Sequence, residues 1–530
     1  MKKAFTVLWL IAGISLHTHS QKNEWINVNK EGASNAGKTL STTVIQKCID
    51  KASAQGGGVV YFPAGEYLTG AIKLKSNITL HIDAGATIKF SDNPDHYLPF
   101  VQMRWEGVVM NSFCPLIYAY EVENITIEGR GVLDGQGKKW WDTTLGNIAT
   151  IRKNGDLSSL NEYQKMWVDA NPNIDVSDYY KNTIKRRFFR PPFFQAFKSS
   201  NIRISGVKFT NSPFWTINPE FCDNITIDGI TVINPDSPNT DGINPESCRN
   251  VHISNCHISV GDDCITIKSG RDADGRKWAT PCENITITNC TMLSGHGGVV
   301  IGSEMSGSVR KITISNCVFD GTDRGIRLKA SRERGGVVEE IRVDNIVMKD
   351  IQRQAFTFDL FYDKSLPEGP VTEKTPCFRN IHISNVTASD VKQAGMILGI
   401  PEMPIQNLTF NHINIQAETG FDVQTAKNIE FHDVEISTRK GPSFVVKNAQ
   451  DLVFENIKSN NPLENVPVIV LDNVGNTYIY NCFQIYPADI FARVSGDKTS
   501  AVYFQNNNFV NVKKNLVEND DVPAGAVSIK

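Results

Sequence analysis

From Asn77 onward one four-residue pattern keeps returning along the chain: a polar residue, most often Asn, followed by apolar, polar, apolar. It reads Asn77-Ile78-Thr79-Leu80, Asn124-Ile125-Thr126-Ile127, Asn201-Ile202-Arg203-Ile204, Asn224-Ile225-Thr226-Ile227, Asn250-Val251-His252-Ile253 and Asn284-Ile285-Thr286-Ile287, and continues in looser form to Asp451-Leu452-Val453-Phe454. Alternation with period two means strands with one buried face. Between Asn201 and Asp451 the starts lie mostly 21 to 34 residues apart, so one supersecondary unit is stacked many times. Each copy holds two or three short alternating runs separated by Gly, Asn, Asp and Ser turns, with no helix-length pattern between them. The unit that fits is one coil of an all-β, right-handed, single-stranded parallel β-helix, with inward ladders of Ile, Val, Leu and Cys and roughly 4.8 Å between coils. A propeller needs about four strands per repeat, and a leucine-rich array needs its own Leu/Asn spacing; neither is present.

The ends and one insertion depart from this pattern. Met1-Lys2-Lys3 precedes an apolar run over residues 4–16 and a polar stretch before Gln21, which reads as a secretory signal peptide over 1–20 and an exported, periplasmic or secreted protein. Residues 21–110 are expected to form an N-terminal cap and first strands. Within them Val44, Ile45, Cys48, Ile49 and Ala52 fall at helical spacing before the stop Gly56-Gly57-Gly58, predicting a short helix that covers the open end of the stack. Residues 111–530 then form the β-helix, continuous with the cap. The stretch 138–189, with Trp140-Trp141, Trp167 and Lys185-Arg186-Arg187, is too long for a turn and is expected to wall a groove.

Composition narrows the function. With 530 residues, 40% hydrophobic, 21% charged and a formal net charge of -3, the chain can bury a large core and offers nothing typical of a nucleic-acid or anionic-membrane binder. Eleven cysteines would suggest disulfides in an exported protein. However, Cys256, Cys290, Cys317 and Cys482 occupy a repeat position that other copies fill with Ile or Val, so buried free thiols are expected. No Cys/His spacing suggests zinc. The sequons at Asn77, Asn124, Asn224, Asn284 and Asn407 read as turn residues of the repeat, not as glycosylation sites.

Four polar signatures sit in successive copies: Asn239-Thr240-Asp241, Gly261-Asp262-Asp263, Gly295-His296-Gly297 and Arg327-Leu328-Lys329. Asp262 and His296 share one offset, twelve residues after Asn250 and Asn284. Stacking therefore places Asp241, Asp262, Asp263, His296, Arg327 and Lys329 on one face of four coils, a polar track of roughly 15 Å. Asp262 and Asp263 can both line a groove only if the backbone turns there, a freedom expected from Gly261. Carboxylates so close repel, so one proton should be retained, as a general acid beside a general base requires. Arg327 and Lys329 project from one side of their strand and suit an anionic sugar carboxylate.

These motifs, in this order, resemble the signatures of the polygalacturonase family of glycoside hydrolases, family 28, of which bacterial exo-acting members are the nearest in loop pattern. The match extends over Gly58 to Asn77, Val132-Leu133-Asp134-Gly135-Gln136-Gly137 with Trp140-Trp141, and Asn211-Ser212-Pro213-Phe214-Trp215. The resemblance implies single-displacement hydrolysis with inversion and without a metal or other cofactor. Asp262 would be the general acid, Asp241 and Asp263 would activate water, and His296 would hold the acid's protonation. Arg327, Lys329, Asn239 and Tyr362 would contact substrate. The implied partner is a pectic polysaccharide or oligogalacturonide cleaved at α-1,4 galacturonide bonds, with no nucleic acid or membrane span and a monomeric chain. The insertion and the 298–307 and 329–336 stretches favour exo action. Endo cleavage and a rhamnogalacturonan-directed hydrolase remain alternatives, and a calcium-dependent pectate lyase or a non-catalytic polysaccharide-binding β-helix are readings of a different class.

Overall fold

A computed structural model describes residues 25–141, 161–174, 190–362 and 366–530. The expected signal peptide, and residues 142–160 and 175–189 of the insertion, lie outside the described residues.

The alternating runs form a right-handed parallel β-helix whose coils pair residue by residue. On one face an unbroken ladder of paired positions passes through Ile72, Ile117 and Phe194, then Ile217, Ile243 and Ile265. It continues through Val299, Ile326, Phe356, Gly395, Phe421, Phe444, Ile469, Ala492 and Leu516. A second face stacks Val60, Leu80, Ile127, Ile204, Ile227, Ile253, Ile287 and Ile314. Nearly all these side chains point inward and are buried, giving one continuous apolar core along the axis. Gly395 interrupts the first ladder for a steric reason. A Cβ there would lie 2.1 Å from the Phe421 ring, whereas glycine lets Phe356 and Phe421 stack at 6.1 Å across it.

The repeat-phase Asn residues turn the corners. Asn77, Asn124, Asn224, Asn284 and Asn407 have φ of 63, 57, 56, 58 and 59°, the left-handed conformation that Asn tolerates best among residues with a side chain. Their amides pair from coil to coil, Asn124 to Asn77 at 2.9 Å and Asn224 to Asn201 at 2.7 Å. These contacts explain the Asn content of the repeat without reference to glycans.

At the N-terminal end the helix Thr42–Ala54 buries Ile45, Cys48, Ile49 and Ala52 against the first coil. Two features were not legible in the repeat. The longest spacing among the catalytic coils, Asn250 to Asn284, accommodates a short helix, Asp272–Trp278. Strands Val101–Trp105 and Val108–Ser112 pair antiparallel as a hairpin outside the coil stack. The described part of the insertion is a helix, Glu162–Ala170, which backs this hairpin: Asn171 Oδ1 accepts from the Asn111 N–H at 2.7 Å and Asn171 Nδ2 donates to the Asn111 carbonyl at 2.9 Å. Among the described residues no helix is long and apolar enough to cross a membrane.

All eleven cysteines are buried and unpaired, and Cys317 shares its ladder position with Ile346, Val386 and Ile413. Burial pushes the Cys114 and Cys482 thiols up to about 12, where thiolate chemistry is suppressed. A thiol-specific reagent is therefore expected to find no reactive cysteine in the native protein and eleven after denaturation without reductant. A native count above one, or a denatured count short by two, would contradict the assignment.

Candidate active site

Inter-coil register brings the carboxylates together. The bridge Ile243 to Ile265 puts Asp241 and Asp263 at equivalent positions of adjacent coils, and the Gly242 N–H donates to the Asp263 carbonyl at 3.0 Å. The next coil places Gly297 opposite Asp263. Asp262 precedes Asp263 at the corner and turns the other way, toward His296, whose N–H donates to the Asp262 carbonyl at 2.8 Å. One oxygen from each of the three carboxylates lies within 4.8 Å of the others.

The corner depends on glycine, for a different reason than backbone freedom. Gly261 has no positive φ; instead a Cβ there would lie 2.3 and 2.4 Å from the Ser237 carbonyl and nitrogen of the preceding coil. The turn passes too close to its neighbour for any side chain. Gly297 works similarly, because its missing side chain leaves Asp263 open to the coil beyond. Across that gap Lys329 Nζ donates to Asp263 Oδ2 at 2.7 Å and Arg327 Nη1 to Oδ1 at 3.5 Å. The Arg327–Lys329 pair therefore reaches the site as expected, but both cations are engaged on Asp263 in the free protein. Leu328 between them points into the core, 1% exposed.

The other two carboxylates sit in contrasting surroundings. Asp262 Oδ1 faces His296 Nδ1 at 3.0 Å, and Oδ2 accepts from Asn239 Nδ2 at 3.3 Å. Burial acts to raise Asp262, but the His296 hydrogen bond and the Lys329 charge overcome it and hold the group at about 2. The same hydrogen bond raises His296 against its own partial burial. Asp241 is 2% exposed; its Oδ2 accepts from Asn244 Nδ2 at 2.9 Å, while Oδ1 is buried without a partner. Burial and the Asp262 charge outweigh nearby Lys268 and lift Asp241 to about 7. The cluster thus favours retaining a proton as expected, with Asp241 raised and Asp262 lowered. The physical reason is that Asp262 has an imidazole donor and the Lys329 charge beside it, whereas Asp241 has a buried, unpartnered oxygen.

Asn239, expected to contact substrate, spends its amide on the protein. Its Oδ1 accepts from Arg190 Nη2 at 2.9 Å while its nitrogen donates to Asp262, so it orients the carboxylate. Tyr362 is 48% exposed, with Lys329 Nζ 5.5 Å and the Arg327 guanidinium 5.7 Å from its ring centre.

Three neighbours were missed from sequence. Lys268 Nζ stands 3.7 Å from Asp241 Oδ2, 3.3 Å from Glu304 Oε2 and 3.5 Å from the Trp215 ring centre. Its charge holds Glu304 well below the ordinary carboxylate range despite burial. Alternation beyond Ile265 and Ile267 would have pointed Lys268 outward beside Thr266, which is the signal that was available. Glu304 lies in an irregular turn, and Arg190 follows the insertion, so neither had a repeat phase to place it. The clustered carboxylates have the spacing of a cation site, but Lys268, Lys329, Arg327 and His296 already lie against them, and cationic side chains fill that electrostatic role.

The comparisons agree with this geometry. The family model described as glycosyl hydrolases family 28 matches residues 177–423, and a rhamnogalacturonase A/epimerase, pectate lyase-like model matches 25–98. A probable polygalacturonase from Vitis vinifera is 30% identical over 390 residues, 72% of each chain. An endo-polygalacturonase from Pectobacterium carotovorum is 26% identical, covering 73% of this chain and 87% of that one. Among solved structures, the exopolygalacturonase from Thermotoga maritima has a TM-score of 0.68 at 33% identity, covering 78% of this chain and 92% of that one. A β-helix with three carboxylates, one imidazole and paired cations in register, alike in sequence to these enzymes over most of its length, belongs to glycoside hydrolase family 28.

Proposed function

We propose that the chain is an inverting hydrolase that removes galacturonic acid units from the ends of pectic chains. The observation that carries the hydrolytic reading is the register that sets Asp241 and Asp263 side by side and holds Asp262, hydrogen-bonded to His296, in the same cluster. Asp262 is the general acid that protonates the glycosidic oxygen; Asp263, together with Asp241 in its ionised form, deprotonates the attacking water. A two-carboxylate inverting site usually spaces its pair roughly 6.5–9.5 Å apart to admit water. Here a second base carboxylate takes up that role, and the water lies across Asp241 and Asp263.

The acid needs a proton that the empty site does not leave on it. His296, half-exposed and raised by Asp262, is the group that supplies one along the 3.0 Å contact. A galacturonate carboxylate arriving at Arg327 and Lys329 helps, because it offsets the Lys329 charge that holds Asp262 down. Substrate charge and acid protonation are thereby coupled.

Exo action is supported by the hairpin that covers the coil stack beside Asp241, from Gln195 to Arg271. The 101–112 hairpin lays Arg104, fully buried, between Glu220 Oε2 at 3.5 Å and Glu246 Oε1 at 3.6 Å, and the Arg104 carbonyl accepts from Gln195 Nε2 at 2.9 Å. Its tip reaches Arg271, whose N–H donates to the Gly107 carbonyl at 3.1 Å. Sugar cannot lie on a face so filled, and a chain end is expected to stop there. The enzyme is read as an exported monomer, with residues 1–20 as its secretory signal.

Asp262→Asn is expected to lower turnover between about 10²- and 10⁴-fold with thermal stability nearly unchanged; activity within tenfold of wild type would remove Asp262 as the acid. Wild-type digestion of polygalacturonate should release only monomer from the outset, first formed as the β-anomer by proton NMR. Early oligomers would show endo cleavage, an initial α-anomer would show retention, and ultraviolet-absorbing unsaturated product would show a lyase.

Protonation of Asp241 is separately testable through stability. Its native value near 7 lies above the ordinary 3.8, so the folded state binds more protons between those values. Stability is then lost as pH rises from about 4 to 7, by at most on the order of 4 kcal/mol. Asp241→Asn removes that loss, and its melting temperature relative to wild type should increase between pH 4 and pH 8. A gap that stays constant or narrows would place the proton elsewhere.

A further inference from the structure

Beyond His296 the corner continues into two more coils, where Arg324 and Arg353 have no part in the reaction proposed above. The Asp323 N–H donates to the Gly295 carbonyl at 2.8 Å, and Gly295 bridges Thr322. In the following coil the Gln352 N–H donates to the Thr322 carbonyl at 3.1 Å and the Arg353 N–H to the Asp323 carbonyl at 2.7 Å. Arg324 and Arg353 therefore stand along the same corner as Asp262 and His296, one and two coils further on, at steps of roughly 5 Å.

The charges there do not balance. Arg327 has Asp263 at 3.5 Å, but among the described residues Arg324 has no acid within ion-pair distance. Its side chain is half-buried and its Nε is buried without a hydrogen-bond partner. Burial, with the charges of Arg327 and Arg353, brings it down to about 10, which still leaves it a cation at neutral pH. Arg353 is 60% exposed at its side chain and meets Asp323 only at 3.6 Å, too long for a hydrogen bond. A guanidinium kept charged where neighbouring cations penalise it is a place that an anion would relieve, and Arg presents its donors in a fork that fits a carboxylate. The 101–112 hairpin contacts the stack from Gln195 to Glu304, and the coils beyond it, with Tyr362 and these arginines, are where the rest of a bound chain is expected to run.

We propose that Arg324 and Arg353 form a second uronate-carboxylate subsite, taking the sugar next beyond the pair whose bond is broken. The proposal rests on the galacturonide reading for its ligand, and on the position of the hairpin for its direction.

The test compares kcat/KM on digalacturonate and trigalacturonate for the wild-type chain, R324A/R353A and R324K/R353K. The dimer ends at the cleavage pair, so only the trimer can use the extra subsite. The trimer-to-dimer ratio is expected to fall about tenfold in the alanine variant and to recover only part of that loss in the lysine variant, which keeps the charge but not the fork. A fall of less than threefold with alanine, or an equal loss on both substrates, overturns the proposal. If the wild-type chain turns over neither compound, the hydrolytic reading fails by itself. Calorimetric titration with trigalacturonate then decides the subsite: tenfold weaker binding by the alanine variant supports it, while equal binding, or none by wild type, overturns it.

Discussion

Backbone pairing between coils is the constraint on which the rest of this molecule depends. Each strand is bonded in register to the next, so a side chain's place in its coil becomes its place on the groove. Asp241 and Asp263 are adjacent because Ile243 pairs with Ile265, and Arg327 reaches back 64 residues to Asp263 because the rungs between them do not slip. The ladder also isolates the floor from the turns. The coil that holds the Asp272–Trp278 helix keeps the same pairing on both sides as coils without one. Loops can therefore reshape the ends of the groove without disturbing the carboxylates, which is consistent with exo- and endo-acting relatives on one scaffold.

Chemically identical residues acquire different work through their surroundings. Asp241, Asp262 and Asp263 lie within one small cluster, yet Asp241 is lifted by burial, Asp262 is held down by His296 and Lys329, and Asp263 is clasped by two cations. Separating pKa values within such a cluster is what lets one group carry a proton while its neighbour accepts one. The cations achieve this without neutralising the cluster uniformly. Lys268 is shared with Glu304 and lies over Trp215, so its pull on Asp241 is partial and burial prevails.

The fold was legible because it is written redundantly. Period-two alternation recurs in many copies, and each Asn at a corner has a stereochemical reason to be there. Asp262, Asp263, His296, Arg327 and Lys329 were legible for the same reason, since each has a phase within a coil. What escaped had no phase. Arg190, Glu304 and the 101–112 hairpin belong to turns whose course depends on contacts between segments far apart in sequence, such as Trp105 Nε1 donating to the Arg190 carbonyl at 3.3 Å. Gly261 was placed correctly but given the wrong cause: it is needed for clearance against Ser237 and not for its φ. Asn239, expected to contact substrate, also holds Asp262 and Arg190. Clearance and partner choice depend on the neighbouring coil, which a single coil's sequence does not contain.

The wall and the chemistry are joined through one side chain. Met103, Trp105 and Met110 of the hairpin, Trp167 of the insertion helix, and Phe214 and Trp215 of the coil stack form a single buried cluster. Trp105 stacks on Phe214 at 5.3 Å, and Phe214 on Trp215 at 4.9 Å. Trp215 then carries Lys268 on its face, and Lys268 stands against Asp241. Packing in such a cluster is dense, so a change of volume at Trp105 or Trp167 is accommodated by shifts of its neighbours. The shift would reach Lys268 before it reached solvent. The hairpin is therefore packed, through Trp105, Phe214 and Trp215, against the lysine that stands beside Asp241.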